Sequence, residues 1–179
     1  PADLALAHGR INVLRLALTA RCRKESILEL YLRSYQTVIP DLSTKYTFFI
    51  PIQDFLEVGR FLPWAYWSSA GGSEAVMVAG GDLGPGARPL IVTACWAEGD
   101  DPDPTGWIFS AVCQYLLQDS TSKAADAPAY NYVWAAPSCL PGGNGSIDDD
   151  DEDEAAVAAL ARTNLPLVTL QSAGCLAVP

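Results

Sequence analysis

The chain has 179 residues, of which 50% are hydrophobic and 18% charged, and its net charge at pH 7 is −10. This composition is typical of one globular domain, and it excludes an intrinsically disordered chain. No apolar run reaches the roughly 18 to 20 residues of a membrane span. The first residues also lack the basic start of a signal peptide, so we expect a protein with neither a membrane span nor a secretion signal.

The charges are unevenly distributed along the chain. Eight of the eleven basic residues precede residue 61, against six acids, so that part carries +2 and the remainder, with three basic and fifteen acidic residues, carries −12. Such an acidic remainder repels phosphates, which argues against nucleic-acid binding over the whole surface. Contact with RNA would have to use the early basic cluster, whose alternative interpretation is a solvated helix face: Arg10, Arg15, Arg21, Arg23 and Lys24.

The elements predicted from periodicity begin with an N-terminal helix over residues 3–23. Residues 27–39 fit either a strand or a continued helix. Further strands are predicted over residues 45–52, 75–79, 90–96, 107–117 and 130–135, followed by a final extended run over 165–178. Two helical turns are predicted over residues 155–161, where the preceding acids favour the positive end of the helix dipole.

The stretch from residue 54 to 81 is the most apolar unit, and its first half has helical spacing interrupted by Pro63. Glycine pairs bracket the short predicted strand that follows. Trp64 and Trp67 supply much of the apolar area that a core needs, so we expect both to be buried in the core or in a subunit interface.

Six to eight predicted strands with few helices and no alternation of strand and helix predict an all-β fold, an antiparallel jelly-roll or β-sandwich with one or two short helices. We expect a single jelly-roll domain over residues 1–179, with residues 1–26 as a helical lead-in.

Seven consecutive acids form the most conspicuous charged run: Asp148, Asp149, Asp150, Asp151, Glu152, Asp153 and Glu154. Repulsion favours an extended, solvated run. The alternative is a Ca²⁺ site, because clustered carboxylates are the ligands that this ion requires. The loop at residues 101–106 begins like a calcium-binding EF-hand loop, but Val112 occupies the place of the required glutamate.

Catalytic and cofactor motifs are absent from the sequence. His8 is the only histidine, no G-x-S-x-G motif occurs, and the glycine stretch at residues 80–86 lacks the lysine of a phosphate-binding loop. The five cysteines are spread along the chain without a C-x-x-C pair, which predicts that most of them are buried thiols and that the compartment is reducing. We therefore expect no enzyme and no cofactor other than a possible Ca²⁺ ion.

Two segments carry a resemblance to a known family. The passage from Phe55 to Ala79 resembles the helix that leads through a glycine pair into a barrel strand in capsid proteins of picorna-like viruses, although Glu74 stands where those proteins usually carry arginine. Residues 9–16 are similar to the segment before their first barrel strand. The two segments together cover 33 of the 179 residues.

This resemblance implies a structural subunit of an icosahedral capsid, which assembles with other capsid proteins around RNA in the host cytoplasm and remains in the virion. Proline at position 1 and the Leu170-Gln171-Ser172 motif, which resembles a 3C-like protease site, fit a product of a longer precursor. A chance tetrapeptide in a strand is the alternative interpretation of that motif. The alternative function is a non-viral β-sandwich binding module.

Overall fold

The computed structural model describes residues 26–36, 39, 41–68, 77–97, 101–122, 130–141 and 152–179, without the side chains of residues 119–122 and 152–154. The chain divides into two compact units, Pro1–Leu42 and Ser43–Pro179. The predicted lead-in over residues 1–26 and the early basic cluster lie outside the described residues, apart from Ser26.

The described part of the first unit is a single helix, α1, Ile27–Tyr35. Ser26 begins it with a capping box, in which its hydroxyl accepts a hydrogen bond from the Glu29 backbone N–H and its own N–H donates to the Glu29 carboxylate, both at 3.1 Å. This reciprocal capping satisfies two N–H groups that a helix start leaves free. Of the two structures that the sequence left open for residues 27–39, the helix is therefore the one formed over Ile27–Tyr35.

The second unit contains six α-helices and five strands among the described residues. In chain order they are a 3-10 turn Thr44–Tyr46, β1 Phe48–Pro51, α2 Ile52–Val58, α3 Trp64–Ser68, β2 Val78–Ala79, β3 Pro89–Thr93, α4 Trp107–Ser122, β4 Tyr132–Ala135, α5 Ala136–Cys139, α6 Glu152–Thr163, α7 Leu165–Gln171 and β5 Gly174–Ala177.

All five strands belong to one mixed sheet of order β2–β1–β4–β3–β5. β3 pairs in parallel with β4 and β5, whereas β1 pairs antiparallel with β4 and β2. Helices follow β3 and β4 before the chain returns to the sheet, which is the arrangement of an α/β domain. The prediction of an all-β jelly-roll or β-sandwich is therefore wrong.

Two misassigned segments account for most of this error. Residues 107–117 were predicted to be a strand and are the first part of α4, while the first half of the run over 165–178 is α7. The spacing of Ile108, Val112, Tyr115 and Leu116 is that of one helix face, which a continuous apolar run conceals. β5 alone keeps the predicted extended structure at the end of the chain.

Several other predicted elements are confirmed. The strands predicted over residues 90–96 and 130–135 correspond to β3 and β4, and the helical turns predicted over residues 155–161 lie within α6. Only the second half of the segment 45–52 is a strand, because a 3-10 turn precedes it.

An aromatic cluster occupies the core of the second unit. The ring of Phe55 lies 4.9 Å from that of Phe61 and 5.1 Å from that of Phe109, and Phe61 lies 4.8 Å from Trp96. These centroid distances and tilted planes are those of favourable edge-on aromatic contacts. The cluster fixes α4 to α2 and to the segment that follows β3.

The predicted burial of the central tryptophans is confirmed. Trp67 is 1% exposed and Trp64 is 9% exposed. The indole N–H of Trp67 donates to the backbone oxygen of Leu62 at 3.2 Å, so burial leaves this polar group paired. Ser138 of α5 donates to the same oxygen at 2.6 Å, which ties α3 to α5.

β5 approaches the neighbouring layer closely at Gly174. A Cβ atom at this position would lie 2.9 Å from the Cε1 and Cζ atoms of Tyr130, whose hydroxyl lies 3.2 Å from that of Tyr115 on α4. Gly174 is in register with Leu90, so α4 covers the face of the sheet that carries Leu90.

We predict that Gly174→Ala lowers the free energy of unfolding by about 1–3 kcal/mol, because the added methyl group overpacks the Tyr130 ring. Gly84→Ala is the matched control, since nothing lies within 4 Å of a Cβ there. Urea denaturation of both variants measures the difference in their free energies of unfolding. Equal stability of Gly174→Ala and the unmodified protein would contradict the packing described.

Candidate functional site

The parallel part of the sheet reverses its strand order at β3. The chain leaves β3 for β4 on one side and returns to β5 on the other, giving the spatial order second, first, third among the three parallel strands. In α/β sheets of this order, the carboxyl ends of the first and third strands form the crevice where ligands bind. Here that position lies beyond Thr93 of β3 and Ala177 of β5.

A cavity of about 250 Å³ opens at this position. Cys95 and Ala97 contribute to it from the exit of β3, and Pro179 contributes from the exit of β5. The two exits are joined by the hydrogen bond from the Val178 N–H to the Thr93 oxygen at 2.8 Å. We call this the switch-point cavity.

The opposite wall of the switch-point cavity comes from the start of α4. Residues 102–105 line it as a loop, and Trp107 and Ile108 line it from the first helical turn. The side chain of Trp107 is 60% exposed, whereas Ile108 is 6% exposed. The lining thus combines an exposed tryptophan with a buried isoleucine.

Asp103 determines the electrostatics of this wall. Its carboxylate accepts hydrogen bonds from the backbone N–H of Ile108 at 3.2 Å and from that of Phe109 at 2.8 Å. The Thr105 hydroxyl accepts from the Trp107 N–H at 3.3 Å. The first N–H groups of α4 therefore have partners within the protein, and Asp103, 5% exposed, places its negative charge at the positive end of the helix dipole.

The loop before Asp103 is held by two further hydrogen bonds. The Asp103 N–H donates to the Asp101 carboxylate at 3.1 Å, and the Ala97 N–H donates to the Pro102 oxygen at 3.0 Å. The acids that imitate the start of an EF-hand loop therefore cap a helix and stabilise a turn. The sequence signal for this arrangement is an Asp and a Thr placed just before an apolar run of helical spacing.

The predicted calcium ligands cannot be compared with this site. Asp148, Asp149, Asp150 and Asp151 lie outside the described residues, and Glu152, Asp153 and Glu154 form the start of α6 without described side chains. Elsewhere in the described ranges, no group of three or more His, Cys, Asp or Glu side chains is arranged to hold a metal ion. The calcium site therefore stays a prediction.

The protease-like motif lies at the end of α7 and not in a strand. The Gln171 side chain accepts a hydrogen bond from the Thr47 hydroxyl at 2.9 Å and donates to the Gly80 oxygen at 2.8 Å. These contacts hold α7 against the turns that flank β1 and β2. Gln171 thus has a structural role in the folded protein.

The cysteines differ in burial. Cys95 and Cys175 are exposed, whereas Cys139 is buried and donates to the Val133 oxygen at 3.8 Å. Burial is the main cause that raises the pKa of Cys139 to about 12, so its thiol stays neutral at physiological pH. The prediction that most of the thiols are buried is wrong, because of the four described cysteines Cys139 is buried, Cys113 is half-buried, and Cys95 and Cys175 are exposed. Sequence reasoning also missed Cys95 as a residue that borders the cavity.

We predict that Asp103→Ala lowers the free energy of unfolding by about 1–3 kcal/mol, because one buried and one partly buried N–H group of α4 lose their acceptor. Asp103→Asn should cost less, since its amide oxygen can still accept from one of them. Asp82→Ala removes an exposed acid and serves as the control. Thermal melting of the three variants measures the order of their stabilities. An Asp103→Ala protein as stable as Asp82→Ala would contradict the capping role.

None of the helices in the described ranges combines the length and apolar character needed to span a bilayer. Comparison of the chain with protein-family models, with curated proteins and with solved structures finds no match. The geometry of the switch-point cavity is therefore the basis on which its function is argued.

Proposed function

We propose that this chain is a binding domain that holds a compact organic molecule in the switch-point cavity, without converting it chemically. The observation that carries the proposal is the position of the cavity, outside the carboxyl ends of β3 and β5 where the strand order reverses. This position follows from the topology of an α/β sheet, because adjacent loops there diverge and leave a crevice. The expected position is a fold-level analogy, whereas the cavity itself is a feature of this chain.

The size of the cavity limits the ligand. Its volume of about 250 Å³ lies just below the roughly 300–1,000 Å³ of usual ligand pockets. A compact molecule, or the head group of a larger one, fits such a volume, whereas a dinucleotide does not.

The residues around the cavity favour binding over catalysis. Among the described lining residues Cys95 is the only one with a thiol, and none of them is a histidine, lysine or arginine that could activate it. The Thr105 hydroxyl accepts the hydrogen bond from Trp107 and belongs to the structure of the helix start. The remaining described lining residues are apolar apart from Asp103, and they include the exposed Trp107.

Thiol alkylation tests the proposal with a control inside the same molecule. Cys95 borders the cavity and Cys175 lies on β5, and both are exposed. A panel of neutral, cationic and anionic fragments is added, and iodoacetamide labelling of each cysteine is followed by peptide mass spectrometry. At ten times its dissociation constant a bound fragment should slow labelling of Cys95 about tenfold and leave Cys175 unchanged.

A cavity-filling variant sharpens the test. Ala97→Phe places a ring in the cavity and should abolish the protection of Cys95, while Ala155→Phe, on the exposed face of α6, should preserve it. Thermal melting confirms that both variants fold. Absence of protection by every fragment in the unmodified protein would reject the binding function.

The capsid hypothesis stays a second, separate prediction. The jelly-roll that it implied is not the fold, so its remaining support is the similarity of residues 9–16 and 55–79 to capsid segments. Partners would be other capsid subunits, with RNA touched only by the early basic cluster. Sedimentation analysis separates the two functions, because a capsid subunit coassembles into a closed shell and a binding domain sediments as a monomer or dimer.

A further inference from the structure

We infer that the switch-point cavity selects a small organic cation of the alkylammonium class over neutral and anionic molecules of the same shape. The inference rests on the proposed binding function and adds the chemical class of the ligand. It is carried by the indole of Trp107, the occupied N-terminus of α4 and the charge of the wall.

Anions are disfavoured because the usual donors for them are occupied. A helix N-terminus binds phosphate or carboxylate through its free N–H groups. In α4 the N–H groups of Ile108 and Phe109 already donate to the Asp103 carboxylate. An anionic ligand would have to displace Asp103 from these bonds or lie against its negative charge.

Cations are favoured over neutral molecules by two features of the wall. Trp107, which is 60% exposed, is among the residues that line the cavity, and indole has the strongest cation–π attraction among aromatic side chains. Asp103 is also a lining residue and Asp101 lies on the same loop, whereas the described lining residues include no lysine or arginine. The dipole of α4 offsets part of the charge of Asp103 and leaves the wall negative.

Choline and 3,3-dimethyl-1-butanol form the probe pair, since they share shape and hydroxyl group and differ in the charge of the central atom. Calorimetric titration of the unmodified protein should give choline an affinity about five- to thirtyfold higher than its neutral isostere. The anion 3,3-dimethylbutanoate should not bind. Raising the salt concentration should weaken choline binding and leave the isostere unchanged, because screening acts on the charged ligand alone.

Two variants and one control separate the contributions of the aromatic ring and of the negative charge to choline binding. Trp107→Leu keeps an apolar side chain and removes the π face, so the preference for choline should fall several-fold. Tyr66→Leu, which removes an aromatic ring that is 50% exposed on α3, should leave the preference unchanged. Asp101→Asn keeps an acceptor for the Asp103 N–H and removes one charge, so it should weaken choline binding and not binding of the isostere.

The outcomes distinguish this inference from the proposed function. If the isostere binds as tightly as choline and protects Cys95, the cavity binds ligands and the selectivity for cations is wrong. If other fragments protect Cys95 and choline does not, the inference is likewise overturned. If choline binds and Cys95 of the unmodified protein is labelled at the free rate, choline binds elsewhere and the inference is overturned, whereas the binding function is rejected only if no fragment protects Cys95.

Discussion

Parallel pairing of β3 with both of its neighbours is the constraint on which the rest of the second unit depends. Pro89, Leu90, Ile91 and Val92 are all buried, so this strand satisfies its backbone groups only through β4 and β5. Parallel neighbours require crossover connections, and the helices α4, α6 and α7 supply them. The carboxyl ends of β3 and β5 then meet at one edge, and the cavity forms there.

Asp103 shows how one side chain can stabilise a helix and at the same time restrict the ligand. By accepting from the first N–H groups of α4, it occupies the positive helix end that many α/β proteins offer to phosphate. The aromatic contacts of Phe109 with Phe55 and of Trp96 with Phe61 hold both walls of the cavity on the same core. Rigid support of this kind lets an exposed indole and a buried carboxylate keep fixed positions relative to each other.

Local sequence patterns correctly predicted the elements for which sequence pattern and tertiary environment favour the same secondary structure. β3 and β4 are short apolar runs between turn residues, and they are strands. Trp64 and Trp67 had to be buried because their apolar area is large. For α4 and α7 the apolar run was read as a strand, since periodicity alone cannot separate a short buried strand from a buried helix. The capping residues Asp103 and Thr105, and Pro166 in the first turn of α7, are the signals that would have corrected it.

The sequence by itself determined the globular class, the negative charge and the apolar segments that form the core, because these depend on composition and local spacing. Tertiary structure decided which strands pair, and in which direction, because pairing depends on contacts between residues far apart in the chain. It also decided the site. No catalytic or metal-binding motif includes Cys95, Asp103 or Trp107. The fourth residue, Pro179, lies more than 70 positions further along the chain. They border one cavity only because β5 returns to pair with β3.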